Sequence, residues 1–353
     1  MTSASPEQGR SYSPDLIRVV SIFLVVTLHV AAGLMNKWGR IPFPEWMTGN
    51  VYDSLSRISV PLLFMVSGSL LLAKQEPMKQ FFIKRASKLL VPFLVWSLVY
   101  LVWYCRVDAQ GTCSRSVVLR LLLLDGTYYH LWFLYTLIGL YLGVPLFRVI
   151  TASGGRSMLW YFAALWLFFQ PVLGALQYFG HIQVGISLPM ATGYIGFFVL
   201  GYLLSETPLT SRRVPLLFIG WLAGAVVTIA GTYVLSQRQQ QFSGLFYDNL
   251  SLNVILMSVC AFLLLRWLAA QGPFQHPRVM RLVARAAEAS FGIDLIHALV
   301  LAIIVERIPF VQINVQMGNP AWSIPLVSVA TFALSFLAVC ILQRVPFIKH
   351  IVP

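Results

Sequence analysis

The sequence predicts an all-α polytopic membrane protein of about ten transmembrane helices, with N- and C-termini cytoplasmic. Three observations lead there. Hydrophobic residues make up 58% of the 353 positions and charged residues only 10%, against about 25% charged in an ordinary soluble domain. Mean hydropathy is +0.77. The apolar residues come in long unbroken runs, unlike the alternating segments of roughly ten residues that build an outer-membrane barrel. The net charge of +13 is spread over many short loops. With no basic soluble module, no nucleic-acid partner is expected.

A membrane-crossing helix needs about 20 mostly apolar residues. Ten stretches supply them, at 14–35, 56–73, 88–105, 129–150, 157–179, 190–205, 213–235, 250–270, 289–308 and 322–344, the sixth being the shortest. Residues 1–12 read as a polar, disordered cytoplasmic tail, 13–345 as one transmembrane domain and 346–353 as a second cytoplasmic tail. The first run has no small-residue cleavage site after a short apolar core, so it reads as an anchor. No connection is long enough for a soluble domain. The absence of an evident repeat weakens an inverted-repeat transporter reading. With the N-terminus inside, sixteen Lys and Arg fall on the cytoplasmic side, seven fall outside, and Arg18 and Arg57 lie within spans. That bias sets the orientation and favours contact with anionic membrane lipids.

Cys260 and Cys340 sit in spans as small apolar residues. Cys105 and Cys113 flank the external segment CRVDAQGTC and are a candidate disulfide in an oxidising compartment. Spacing alone leaves that pairing open, because it does not give the distance between the two Cα atoms.

Ionisable groups at bilayer depth are costly, so each is a functional candidate. In the first span, Arg18 and His29 are eleven residues apart. At 100° per residue they share one face, about 16 Å apart along the axis. Arg57 lies near the outer end of the second span, where Pro61 and Gly68 interrupt helical regularity and Ser56, Ser59, Ser67 and Ser69 can reconnect freed backbone groups. Lys84, Arg85 and Lys88 cluster where the third span begins, with Arg85 and Lys88 neighbours at i, i+3. His130 opens the fourth span among Tyr128, Tyr129, Trp132 and Tyr135. These aromatics suit either an interfacial belt or a sugar-stacking floor. In the ninth span Asp294 and His297 are i, i+3, close enough for carboxylate to meet imidazole. Each group also has a plain structural reading, as snorkelling Arg, packing His, topology signal or self-neutralising pair. No GxSxG, Walker A, dinucleotide or zinc spacing appears, and no metal is expected.

Five of these segments, in order, resemble the acyltransferase-3 membrane proteins. DLIRVVSIFLVVTLHV is similar to their opening, whose signature is Arg-x10-His, here Arg18 to His29. RISVPLLFMVSGSLLL resembles their second span, and FFIKRASKLLVPFLVW their Arg-x-x-Arg segment. HLWFLYTLIGLYLGVPLFR and SFGIDLIHALVL resemble later landmarks. The resemblance runs over about 12–345 and takes in the surface-polysaccharide O-acetyltransferases of the bacterial inner membrane. There are two departures: Lys88 replaces the second Arg of its segment, and Asp294 stands where an aromatic is expected. No appended extracytoplasmic domain, such as some members carry, is seen.

The resemblance implies acyl transfer, most often of acetyl, from cytoplasmic acyl-CoA to a hydroxyl. The acceptor would be a sugar, a polysaccharide or a polyprenyl-linked glycan. Acetyl-CoA would be a co-substrate, and no cofactor would be permanently bound. His29 and Arg18 become the expected catalytic residues, with His29 as general base or acyl carrier. Arg85 and Lys88 would bind the donor's phosphates. Arg57, His130, Asp294 and His297 would be acceptor-binding or auxiliary groups. A transporter or flippase of a lipid-linked sugar or acyl group uses similar buried charges and is the alternative; a membrane sensor would use them for packing alone.

Overall fold

The computed structural model describes residues 12–108, 113–122, 126–181, 188, 191–306, 318–346 and 348–352. Arg10, Arg307 and the N-terminal tail to residue 11 fall outside these. Among the described residues there are helices and no strands. The chain runs α1 (Ser13–Met35), α2 (Phe43–Ser56), α3 (Ser59–Leu71), α4 (Met78–Arg85), α5 (Val91–Trp103), α6 (Arg115–Arg120), α7 (Trp132–Ala152), α8 (Arg156–Leu167), α9 (Leu173–Gly180), α10 (Ile195–Ser205), α11 (Val214–Gln239), α12 (Leu252–Ala269), α13 (Pro277–Glu306) and α14 (Pro320–Leu342). Wide π turns join α4 to α5 at Ala86–Leu90 and α8 to α9 at Phe168–Val172, so each pair forms one rod.

Among the described residues nine rods are long and apolar enough to cross a membrane, and α10 is a shorter apolar tenth. This agrees with the sequence-based count, including the short sixth span. Prolines in the first turn of α1, α2, α11 and α14 start helices where no N–H is missed. The Asn319 side chain caps α14 by accepting from Ala321 N–H at 2.9 Å.

Three boundaries differ from expectation. The second span begins at Phe43, through α2, and not near residue 56. Polar residues of α2 hid it: Asn50, Asp53, Ser54 and Ser56 are all buried. The third rod starts at Met78, so Arg85 and Lys88 lie within it. The ninth starts at Pro277, about three turns of mixed polarity before its apolar run.

α1 is the hub, touching α2, α3, α12, α13 and α14. α3 and α10 meet backbone to backbone. A Cβ on Gly68 would sit 1.8 Å from the Phe198 carbonyl oxygen, and one on Gly201 would sit 1.9 Å from that of Met65. Small residues of this kind let membrane helices approach closely. α10 is enclosed, with Phe197, Phe198, Val199 and Leu203 wholly buried. α11 instead exposes Leu216, Phe218, Ile219, Leu222 and Val226, as a lipid-facing helix does. The C-terminal segment returns to the bundle, where Trp96 donates its indole N–H to the Ile351 carbonyl at 2.9 Å.

Candidate active site

Arg18 and His29 both turn inward from α1. Arg18 lines a cavity of about 500 Å³ at the end of the bundle where α1 begins. Arg85, Lys88, Ser67, Tyr141, Glu288, Asp294 and Gln343 line it too, so four of the sequence-predicted site residues share one chamber. The π turn at 86–90 widens the helix between Arg85 and Lys88, and both still reach the cavity.

Arg18 and Arg85 each have a carboxylate near them. Arg18 Nη1 is 3.8 Å from Asp15 Oδ1. Glu76, in the loop after α3, gathers Arg148 at 3.1 Å, Lys84 at 3.4 Å and Arg85 at 3.8 Å. Burial pushes the Glu76 carboxyl up, but hydrogen bonds and charge from Arg148 and Lys84 outweigh it and hold it below its usual value. Arg148 reads in the sequence as a loop charge. It is 7% exposed and donates through Nε to the Leu71 carbonyl at 2.8 Å, which makes it a structural clamp.

The imidazoles form the second pole. His29 stacks on His297 with ring centroids 5.3 Å apart and planes 22° from parallel. His130 meets His297 edge-on at 5.1 Å. Tyr129 lies 4.8 Å from His29, and Tyr100 lies 4.8 Å from His130 and stacks on Tyr128 at 4.6 Å. Tyr100 ties α5 to α13, donating to the Leu295 carbonyl at 2.7 Å and accepting from Leu299 N–H at 3.2 Å. The aromatics around His130 therefore close over the histidines inside the protein, although Tyr129 keeps half its surface exposed.

The expected Asp294–His297 side-chain pair does not form. His297 Nδ1 lies 2.7 Å from the Asp294 carbonyl and 3.1 Å from the Ile293 carbonyl. Carbonyls only accept, so Nδ1 carries the proton and Nε2 is left as an acceptor. Helical geometry explains the difference: the ring folds back on its own preceding turn while the Asp294 carboxyl faces the cavity. Among the described residues, His297 Nε2 and both ring nitrogens of His130 are buried without a well-formed hydrogen bond, so this cluster is unsaturated. Among the described residues no group of three or more His, Cys, Asp or Glu is arranged to hold a metal ion.

Arg57 is not at a span end. It sits at the joint between α2 and α3, with Nη2 2.5 Å from Oδ1 of the wholly buried Asp53 and its guanidinium 4.2 Å above the Tyr247 ring. The Asp53 contact is close but not aligned as a hydrogen bond. Tyr247 donates to Asn50 Oδ1 at 2.6 Å, and Asn50 donates to the Ile229 carbonyl at 3.0 Å. Asp53 and Tyr247 were not singled out from sequence. The i, i+4 spacing of Asp53 and Arg57 was the available signal.

Cys105 and Cys113 are joined as a disulfide, with Cα atoms 5.4 Å apart. A larger, mainly apolar groove of about 840 Å³, walled by Pro171, Phe179, Val227 and Leu256, carries none of the expected site residues.

No curated protein and no solved structure matches the chain. A family model does, over residues 11–340, and its description is an acyltransferase domain. Its span takes in both poles of the site, and with nearly the whole chain covered the protein belongs to the acyltransferase-3 family of membrane acyltransferases.

Proposed function

We propose that this membrane acyltransferase moves an acetyl or related acyl group from cytoplasmic acyl-CoA to a hydroxyl of a cell-surface sugar, polysaccharide or polyprenyl-linked glycan in the bacterial inner membrane. One observation carries the reading. A cation-lined cavity and a cluster of imidazoles share two helices, α1 and α13, which carry Arg18 and Asp294 to the one and His29 and His297 to the other. Cations suit the phosphates of a CoA donor, and a neutral imidazole suits proton abstraction from a hydroxyl.

In this reading the donor enters between Arg18, Arg85 and Lys88 with its thioester directed at His29. His29 takes the acceptor hydroxyl's proton as oxygen attacks the thioester carbon. The carbon–sulfur bond breaks and the CoA thiol leaves by the way it came. Transfer through an acyl group carried on His29 uses the same atoms in two steps. His130 and His297 offer unfilled nitrogens to the acceptor, and Arg57 supplies positive charge near the developing oxyanion.

His29→Ala is expected to lower transfer by about 10²–10⁴-fold with expression unchanged. The measurement is mass spectrometry of envelope glycans from cells with the wild-type protein, with the variant and with none. Loss of one acetyl mass in the last two supports the reading. Near-wild-type acetylation by the variant rules out His29. Substrate moved across vesicles without covalent change would instead support the flippase alternative.

A further inference from the structure

The cavity holding Arg18, Arg85 and Lys88 has a second chemistry on its α13 wall. Asp294 lines it and is 7% exposed. Among the described residues its carboxyl meets no hydrogen-bond donor and no cation within ion-pair distance, although three cations line the same chamber. Arg85 turns to Glu76, Arg18 to Asp15, and Lys88 is solvent-exposed. A buried carboxyl with nothing to bind is destabilising, so its natural partner comes with a ligand.

The place and the charge define that partner. One turn along α13 from Asp294 is His297, stacked on His29. A carboxylate repels phosphate, so the donor's phosphates belong with the cations at the mouth. The acyl thioester belongs at the imidazoles. Between them a CoA thioester has a neutral arm carrying two amide N–H groups, and a carboxyl offers acceptor oxygens. Resting on the acyl-CoA reading above, we propose that Asp294 binds an amide N–H of the donor's pantetheine arm and sets how far the thioester advances toward His29.

The experiment uses the purified full chain in detergent and three probes: acetyl-CoA, S-acetylpantetheine (the arm without nucleotide) and adenosine 3′,5′-bisphosphate (the phosphates without arm) as an inhibitor. Asp294→Leu is expected to raise KM for both thioesters about tenfold, the scale of one hydrogen bond to a charged group, and to leave inhibition by the bisphosphate unchanged. Asp294→Asn, which keeps an acceptor oxygen and the side-chain shape, is expected to show a smaller rise and carries the comparison if the leucine variant does not fold. Arg85→Ala should give the opposite pattern, weakening the bisphosphate and sparing S-acetylpantetheine. Unchanged thioester KM in both Asp294 variants, with active wild type, overturns the assignment alone. So does equal loss of thioester and bisphosphate binding. Wild-type protein that turns over neither thioester overturns the acyl-CoA reading and this assignment with it.

Discussion

Asp53 has no exposed surface, and the charge set against it is Arg57. Removing one partner of such a pair leaves the other uncompensated, which costs about 3–5 kcal/mol, whereas replacing both is often neutral. Arg57→Leu is therefore expected to lower thermal stability in detergent sharply, and Asp53→Asn with Arg57→Leu to recover most of it. If the single and double variants melt together, the pair is not coupled. Glu76 gives a pH-dependent case. Its folded pKa lies below its ordinary value of 4.5. Its contribution to stability is thus fully present above about pH 4.5 and fades as pH falls through the lower folded value. Glu76→Gln should flatten the acid limb of the melting-temperature profile and leave the neutral limb parallel to wild type. An acid limb as steep as wild type would count against the clamp. At this scale the positions of Arg18 and His29 were legible, because charge inside an apolar run is conspicuous, and Arg85 and Lys88 because they cluster where a span begins. Arg148 and Asp53 were not: an Arg near the end of a span passes for a topology charge, and Asp53 lies in a stretch polar enough to pass for a loop.

At the scale of elements, the seam between α3 and α10 is the most demanding contact. Gly68→Ala or Gly201→Ala drives a methyl into a carbonyl oxygen. Overpacking of this kind costs about 1–3 kcal/mol or more, and rigid backbone on both sides offers little relief. Either variant is expected to shift the protein toward aggregate on size-exclusion chromatography. Gly33→Ala, where a Cβ meets nothing within 4 Å, should elute as wild type. A monodisperse Gly68→Ala protein would contradict the seam. Most helices could be read from apolar run length because lipid imposes that length. The second span begins about three and a half turns before the apolar run that marks it in the sequence, because α2 pairs polar side chains within itself: Ser54 donates to Asn50 Oδ1 at 3.1 Å and Ser56 to the Tyr52 carbonyl at 2.8 Å. Hydropathy counts such residues as solvated; the fold buries them in each other's company.

For the whole molecule, the proposed reaction has the two poles reached from opposite sides of the membrane. Lys88 and Arg40 are both exposed. Single cysteines at these positions, with Cys260 and Cys340 replaced by alanine, should react with an impermeant maleimide from opposite faces, Lys88→Cys from the cytoplasm. Labelling of both from one face would undo the topology. Composition and the Arg18–His29 spacing made the general plan legible, since a helix fixes which residues share a face. The convergence of His29, His130 and His297 was not legible, because it depends on how α1, α13 and the turn before α7 meet.

The wide turn at Ala86–Leu90 makes this arrangement sensitive to chain length. Each residue advances a helix by about 100°, so deleting one residue there would leave an equally greasy, equally helical rod. A π turn holds one residue more than the α turn it replaces, so the rod would close to regular α geometry there and change how Arg85 and Lys88 are set relative to each other. Hydrophobicity plots and helix content would not register the change. The cation-lined end of this protein thus depends on how many residues occupy that stretch as well as on which ones they are.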